Sequence, residues 1–252
     1  MAVCQRCGRE IAEGSEACGY CARPQPRTSG GFRGLAIALV LVAAGAASYT
    51  YFAYYRGPGA QVAAHDQIAA LYHTARGYEE KGQLEAAAQA YSEVVKLQPA
   101  WPYHRRNLAR VLLRLGKFGE AQAQLQAAVD QELRASPADQ GLLLWLYHDL
   151  ALASMGQHDY DAGEQGLEKA KQQRPAFEQT PPYLVAKAIA AAGRGRGDSA
   201  RQLLDQALAA QRDMTLESVS SWLSLAPNAP EAPVLKAFLD ETRARKNNQP
   251  TQ

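Results

Sequence analysis

The sequence predicts an all-α chain, a helical solenoid preceded by a small metal-binding module and one transmembrane helix. Three observations carry that prediction. All four cysteines fall in the first 21 residues, residues 34–55 contain no charged side chain, and four later segments repeat one helix-face pattern. A length of 252 residues with 47% hydrophobic and 21% charged side chains suits a folded core and excludes a large multidomain enzyme.

Cys4, Cys7, Cys18 and Cys21 are spaced C-x2-C, ten residues, C-x2-C. Each pair can turn both thiolates onto one ion, and two pairs complete the closed tetrahedral shell of one structural Zn2+. About 25 residues cannot bury enough apolar area to fold alone, so the metal would supply most of the folding free energy. Two disulfides, or a redox pair in thioredoxin style, are the competing readings. The paired spacing and the lack of a βαβ pattern weigh against both. The stretch from Val3 to Gln25, VCQRCGREIAEGSEACGYCARPQ, resembles the short bacterial zinc-ribbon family. The family's polar turn between its two knuckles is here Glu13-Gly14, and its glycine after the last cysteine is here Ala22. Four sulfur ligands leave no position open for water, so a structural or adhesive role is expected.

After a linker at residues 26–33, the uncharged run GLAIALVLVAAGAASYTYFAYY is long enough as a helix to cross the roughly 30 Å hydrocarbon layer. Tyr49, Tyr51, Phe52, Tyr54 and Tyr55 crowd its C-terminal end, as side chains of a membrane interface do. Arg23, Arg27 and Arg33 precede the run and only Arg56 follows closely, so the N-terminus is expected in the cytoplasm. A cysteine-free C-terminal region suits an oxidising periplasm. A cleavable signal peptide with Ala44-Gly45-Ala46 as its cleavage site is the rival reading, and a buried core helix is another. Small residues at Ala43, Ala44, Ala47 and Ser48 would also suit a homodimer packed through this helix.

A hinge at residues 56–66 leads into the repeats. Ala87, Tyr91, Val94; Ala121, Leu125, Ala128; Gly163, Leu167, Ala170; and Ala200, Leu204, Ala207 each place small, large, small at i, i+4, i+7. That spacing puts all three on one helix face, where the small residue admits a neighbouring helix and the large one fills the gap. With turns such as Lys81-Gly82-Gln83-Leu84 and Leu115-Gly116-Lys117-Phe118, residues 67–212 resemble about four units of the tetratricopeptide repeat family. In the family pattern Ala75, Ala109, Ala151 and Ala188 are the small first-helix residues. Leu84, Phe118 and Tyr160 are the large turn residues, and Pro99 and Pro175 close their repeats. Departures are Arg105 at a large apolar position, Leu133 in place of a closing proline, and a loose turn expected at Gly193–Gly197. Residues 132–141 are expected either to lengthen a helix or to form a loop with Pro137. Residues 213–246 are expected to cap the array with two helices, and residues 247–252 to be a disordered tail.

Stacked helix pairs form a curved solenoid whose concave face, lined by first helices, binds partners. The inward positions expected from the register are Tyr72 and Arg76, then Tyr103, Arg106 and Arg110, then Trp145, His148 and Leu152. Arg106, Arg110 and Arg114 lie four apart and can meet the carboxylates of an extended peptide, or form a solvated face paired with Glu79 and Glu80. The carboxylate clamp of some family members is not reproduced, because Tyr72 and Asp149 stand at two of its positions.

Catalysis is not expected. The five histidines are scattered, there is no cysteine outside the knuckles, and His148-Asp149 is a dipeptide whose side chains should diverge by about 100° on a helix. Nucleic acid is not expected either. Of 27 basic and 25 acidic residues, five and three fall in the first 33, leaving 22 of each after the uncharged run. The function expected is a scaffold in the bacterial inner membrane, N-terminus in the cytoplasm, holding a protein or peptide of the cell envelope on a periplasmic array. The rival is a transmembrane regulator coupling the zinc ribbon to array occupancy. A third reading turns the array towards the cytoplasm.

Overall fold

The computed structural model describes residues 2–4, 10–11 and 58–247. The expected transmembrane helix, the linker before it, three of the four cysteines and the last residues of the tail lie outside the described residues. The chain divides into two compact units, residues 1–64 and 65–252. In the first, β1 (Ala2–Val3) pairs antiparallel with β2 (Glu10–Ile11), Ala2 opposite Ile11 and Val3 opposite Glu10. Among the described residues no helix is long and apolar enough to cross a membrane.

Among the described residues ten helices follow, eight of them in four antiparallel pairs: α1 (Pro58–Glu80) with α2 (Leu84–Leu97), α3 (Pro102–Arg114) with α4 (Phe118–Glu132), α5 (Gln140–Gly156) with α6 (Tyr160–Gln173), and α7 (Pro181–Gly193) with α8 (Gly197–Ala210); α9 (Arg212–Leu225) and α10 (Ala232–Asn247) come after them. A short 3-10 turn, Pro175–Gln179, links α6 to α7. The face pattern read from the sequence is the interior. Ala75, Ala109, Ala151 and Ala188 on the first helices are fully buried, and so are Leu125, Leu167 and Leu204 on the second helices. Two apolar clusters form, one from α1 to α5 and one from α5 to α10. α5 belongs to both, which its run LLLWLYHDLALASM explains, since a helix apolar all round must be covered all round.

Every pair turns in the same way. Gly82, Gly116, His158 and Gly195 have positive φ, 71°, 70°, 62° and 74°, each two residues before a second helix. In each turn that residue's N–H reaches back three residues and the next N–H reaches back five, as Gly82 to Glu79 (3.1 Å) and Gln83 to Tyr78 (2.9 Å) show. This double bond is the Schellman cap, which satisfies carbonyls a helix end leaves unpaired. The Gly193–Gly197 segment is therefore not loose. Gly195 and Arg196 make the same two bonds, each 2.9 Å.

One further expectation is corrected. The hinge expected at residues 56–66 is already helical from Pro58, a residue whose fixed φ suits a first helical position. Of the two readings of residues 132–141 the loop holds: residues 133–139, with Pro137 among them, join α4 to α5, and Asp139 caps α5 by accepting from the Leu142 N–H at 3.0 Å.

The turn aromatics lock successive repeats. A Cβ on Gly156, at the end of α5, would overlap the Phe118 ring, and one on Gly193, at the end of α7, would overlap the Tyr160 ring. Beyond the fourth pair, Glu231 lies fully buried in the loop before α10. It accepts from the Tyr160 hydroxyl at 2.8 Å and from Trp222 Nε1 at 2.9 Å, which fastens the cap to the array.

Candidate interaction face

The first helices α3, α5 and α7, together with α9, ring a pocket of about 500 Å³. Their side chains reach it through one register. Three positions before and one after each buried alanine come Arg106 and Arg110 around Ala109, His148 and Leu152 around Ala151, and Val185 and Ile189 around Ala188, and all six line the pocket. Trp222 supplies the α9 wall, and its ring lies 6.3 Å from Phe118.

Trp145 is 38% exposed in this pocket. The Arg106 guanidinium sits 5.6 Å over its ring, and the edges of Phe177 and His148 fix it from other sides at 5.6 and 5.7 Å. Arg106 is not a free cation: its Nε donates to Asp149 Oδ2 at 2.8 Å. Burial pushes the Asp149 carboxyl up, but hydrogen bonds from His148 and Arg106 outweigh that and hold it below its ordinary value. The divergence expected for His148 and Asp149 does not occur. His148 Nδ1 stands 3.2 Å from Asp149 Oδ1, because Arg106 holds the other oxygen and turns the carboxylate along the helix.

Arg110 is exposed and makes no hydrogen bond or ion pair among the described residues. It also lines a second pocket, of about 420 Å³, with Tyr72, Arg76, Asn107 and Arg114. There the polar groups are partnered within the chain. Arg114 reaches Glu79 at 3.0 Å, Arg76 reaches Glu80 at 3.3 Å, Tyr91 donates to Glu79 at 3.3 Å, and Asn107 donates to the Tyr72 hydroxyl at 3.4 Å. Burial and the neighbouring Glu79 push the Tyr91 hydroxyl well above its ordinary value.

Eight residues were expected on one inward face, and the structure brings seven of them to these pockets. Tyr103 lines neither. Its hydroxyl donates to Asp139 at 2.8 Å, so the ring stands at the repeat edge beside Trp101, where it braces the loop before α5. The bond from the Leu142 N–H and then that from Tyr103 hold the Asp139 carboxyl below its ordinary value. Val185, Ile189, Trp222 and Glu217 were not anticipated. The register applied to Ala188 yields the first two, whereas α9 has no repeat signature from which the others could be read.

Of the expected metal ligands, Cys4 is buried directly after β1, and Cys7, Cys18 and Cys21 lie outside the described residues. Among the described residues no group of three or more metal-ligating side chains is gathered.

Neither protein-family models nor curated proteins match the chain. Solved structures do. A crystal structure of a Podosopora anserina kinesin-light-chain candidate with nearly identical TPR-like repeats is 20% identical, with 73% of this chain and 97% of that one covered and a TM-score of 0.50. The fold is a tetratricopeptide-like helical solenoid. A thermophilic TPR protein of Thermus thermophilus is 19% identical over 70% of this chain and 99% of its own, with a TM-score of 0.48. The MamA protein is 14% identical over 75% and 98%, with a TM-score of 0.48. At these identities the likeness to the solenoid concerns architecture alone.

Proposed function

We propose that the chain is a membrane-anchored scaffold that holds a protein partner on the concave face of its solenoid and performs no chemistry. In this reading residues 34–55 span the bacterial inner membrane. The four-cysteine module binds one structural Zn2+ in the cytoplasm, and the solenoid projects into the periplasm.

The observation that carries the reading is the convergence of four helices on one open pocket, with an exposed Trp145 and an unpartnered Arg110 at its surface. Tryptophan and arginine are the residue types that most often dominate binding energy at protein interfaces. His148, which lines the same pocket, is 7% exposed and paired with Asp149. The metal reading rests on the cysteine spacing and on buried Cys4 beside a two-stranded hairpin, a setting that suits a thiolate ligand.

The test is purification of tagged full-length protein from crosslinked membranes beside Trp145→Ala and Arg110→Glu. An envelope protein captured by the natural chain and lost from both variants supports the concave face. Capture unchanged in both variants overturns it. A reporter fused after Gln252 that works only outside the cytoplasm supports the orientation, and one that works inside reverses it. Zinc retained after Cys4→Ser and Cys7→Ser overturns the metal assignment.

A further inference from the structure

The pocket ringed by α3, α5, α7 and α9 carries one unpartnered charge on each of two walls. Arg110 stands on α3 and Glu217 on α9, with α5 and α7 between them in the array. Both are exposed, and neither makes a hydrogen bond or ion pair among the described residues. The other Arg and Asp side chains at the pocket, Arg106 and Asp149, are paired with each other. Between the two walls the accessible apolar surface comes from Trp145, Leu152 and Leu225, over a floor of buried Val185, Ile189 and Trp222. A guanidinium and a carboxylate that share one pocket without pairing leave its electrostatic complement to a ligand.

We propose that this pocket docks an extended segment of a protein partner that bears an acidic side chain, then a short apolar stretch, then a basic side chain. The acid faces Arg110, the apolar side chains cover Trp145, Leu152 and Leu225, and the base faces Glu217. The inference rests on the scaffold reading and goes beyond it by naming the chemistry and the polarity of what is held. A chain segment is favoured over a free small molecule because the surface does not end at Arg110. The same side chain also lines the pocket with Tyr72 and Arg76, so the groove continues past it and a chain segment can run on along it. Two opposite charges at separate ends also impose a direction, since reversing the segment would set like charge against like at both walls.

The experiment selects binders from random nonapeptides displayed within a longer chain, so that neither end is free, against full-length protein in detergent micelles. The natural protein is expected to enrich segments with Asp or Glu separated from Lys or Arg by apolar residues. Arg110→Glu should convert the acidic preference to a basic one, and Glu217→Lys should convert the basic preference to an acidic one. Either variant should weaken a peptide selected by the natural protein by about tenfold or more, as expected for loss of a charged hydrogen bond. Reversing the matching charge on the peptide should restore binding. Both side chains are exposed, so neither change disturbs the core, and circular dichroism checks that the helices remain. No enrichment, an enrichment without paired charges, or a preference that Glu217→Lys leaves unaltered overturns the proposal. An envelope protein still lost from Trp145→Ala in the crosslinking test, together with peptides indifferent to Glu217→Lys, removes the dipolar pocket and leaves the scaffold standing.

Discussion

The pocket between α1 and α3 and the pocket ringed by α3, α5, α7 and α9 share Arg110, yet they treat their remaining charges in opposite ways. In the first, Glu79 gathers Arg114 and Tyr91 at the surface, and Arg76 turns to Glu80 one helical turn away. These pairs are half-open to solvent, where ion pairs contribute little. In the second, the neutralising carboxylate is Asp149, whose side chain is 8% exposed, and the charges left over are those aimed outward. One face of the solenoid can thus close its charges off within the chain in one stretch and leave them open in the next. What separates the two is where the acids fall on the helices rather than how many basic residues there are.

The largest effect expected from this contrast concerns the α9 wall. Glu231→Ala would strand the buried Tyr160 hydroxyl and Trp222 indole N–H together, at a cost of about 4 kcal/mol in urea unfolding of the full chain. Glu231→Gln, which keeps an acceptor, should lose clearly less. Equal losses from the two variants would mean that the carboxylate's hydrogen bonds do not hold the cap.

Asp149→Ala comes next. It leaves the Arg106 guanidinium unpaired in a half-buried site and should cost about 3 kcal/mol. Glu79→Ala, at the more open pairs of the pocket between α1 and α3, should cost about 1 kcal/mol. A reversed order would break the comparison. The same carboxylate sets a pH signature. Its folded pKa lies below the ordinary 3.8, so its stabilisation is fully present above about pH 3.8 and is lost as the pH falls through the lower folded value. The stability gap between the natural chain and Asp149→Asn should therefore hold at neutral pH and shrink below about pH 3.8, a trend that unfolding curves from pH 7 to pH 3 would reveal.

How far the sequence reached follows from the same chemistry. The i, i+4, i+7 pattern is a statement about burial, so Ala121, Leu125 and Ala128 declared their helix face and its neighbour directly. The concave residues follow by counting from each buried alanine, which is why Arg106, Arg110, Trp145 and His148 were legible. Tyr103 was misplaced because its hydroxyl finds Asp139, 36 residues away, and a one-helix register cannot anticipate such a pull. Glu217 and Trp222 were illegible for a different reason. The cap repeats no motif, and its placement depends on Glu231, a buried acid with nothing in the local sequence to mark its two donors.

A smaller effect distinguishes the packing of the turns. Gly193→Ala drives a methyl group into the Tyr160 ring that also serves Glu231, and should cost about 2 kcal/mol in the same unfolding assay. Gly82→Ala meets open space, so its cost of about 1 kcal/mol should come from the positive φ alone. Equal losses would show that the Tyr160 side of the molecule relaxes as freely as the first turn does.

The smallest effect has the opposite sign. His158 occupies at φ 62° the position that glycine fills in the other three turns, and an L side chain there is strained by about 1 kcal/mol. His158→Gly removes that strain but adds freedom to the unfolded chain, so a net gain of about 0.5 kcal/mol is expected, read as a small rise in the urea midpoint. Against it stands one contact, His158 Nδ1 to the Tyr160 hydroxyl at 3.2 Å, on the same oxygen that donates to Glu231. A loss instead of a gain would therefore mean that the histidine holds Tyr160 for the cap. In that case the strain in the third turn would belong to the α9 wall of the pocket ringed by α3, α5, α7 and α9, and the pocket between α1 and α3, whose turn has Gly82, would have no counterpart to it.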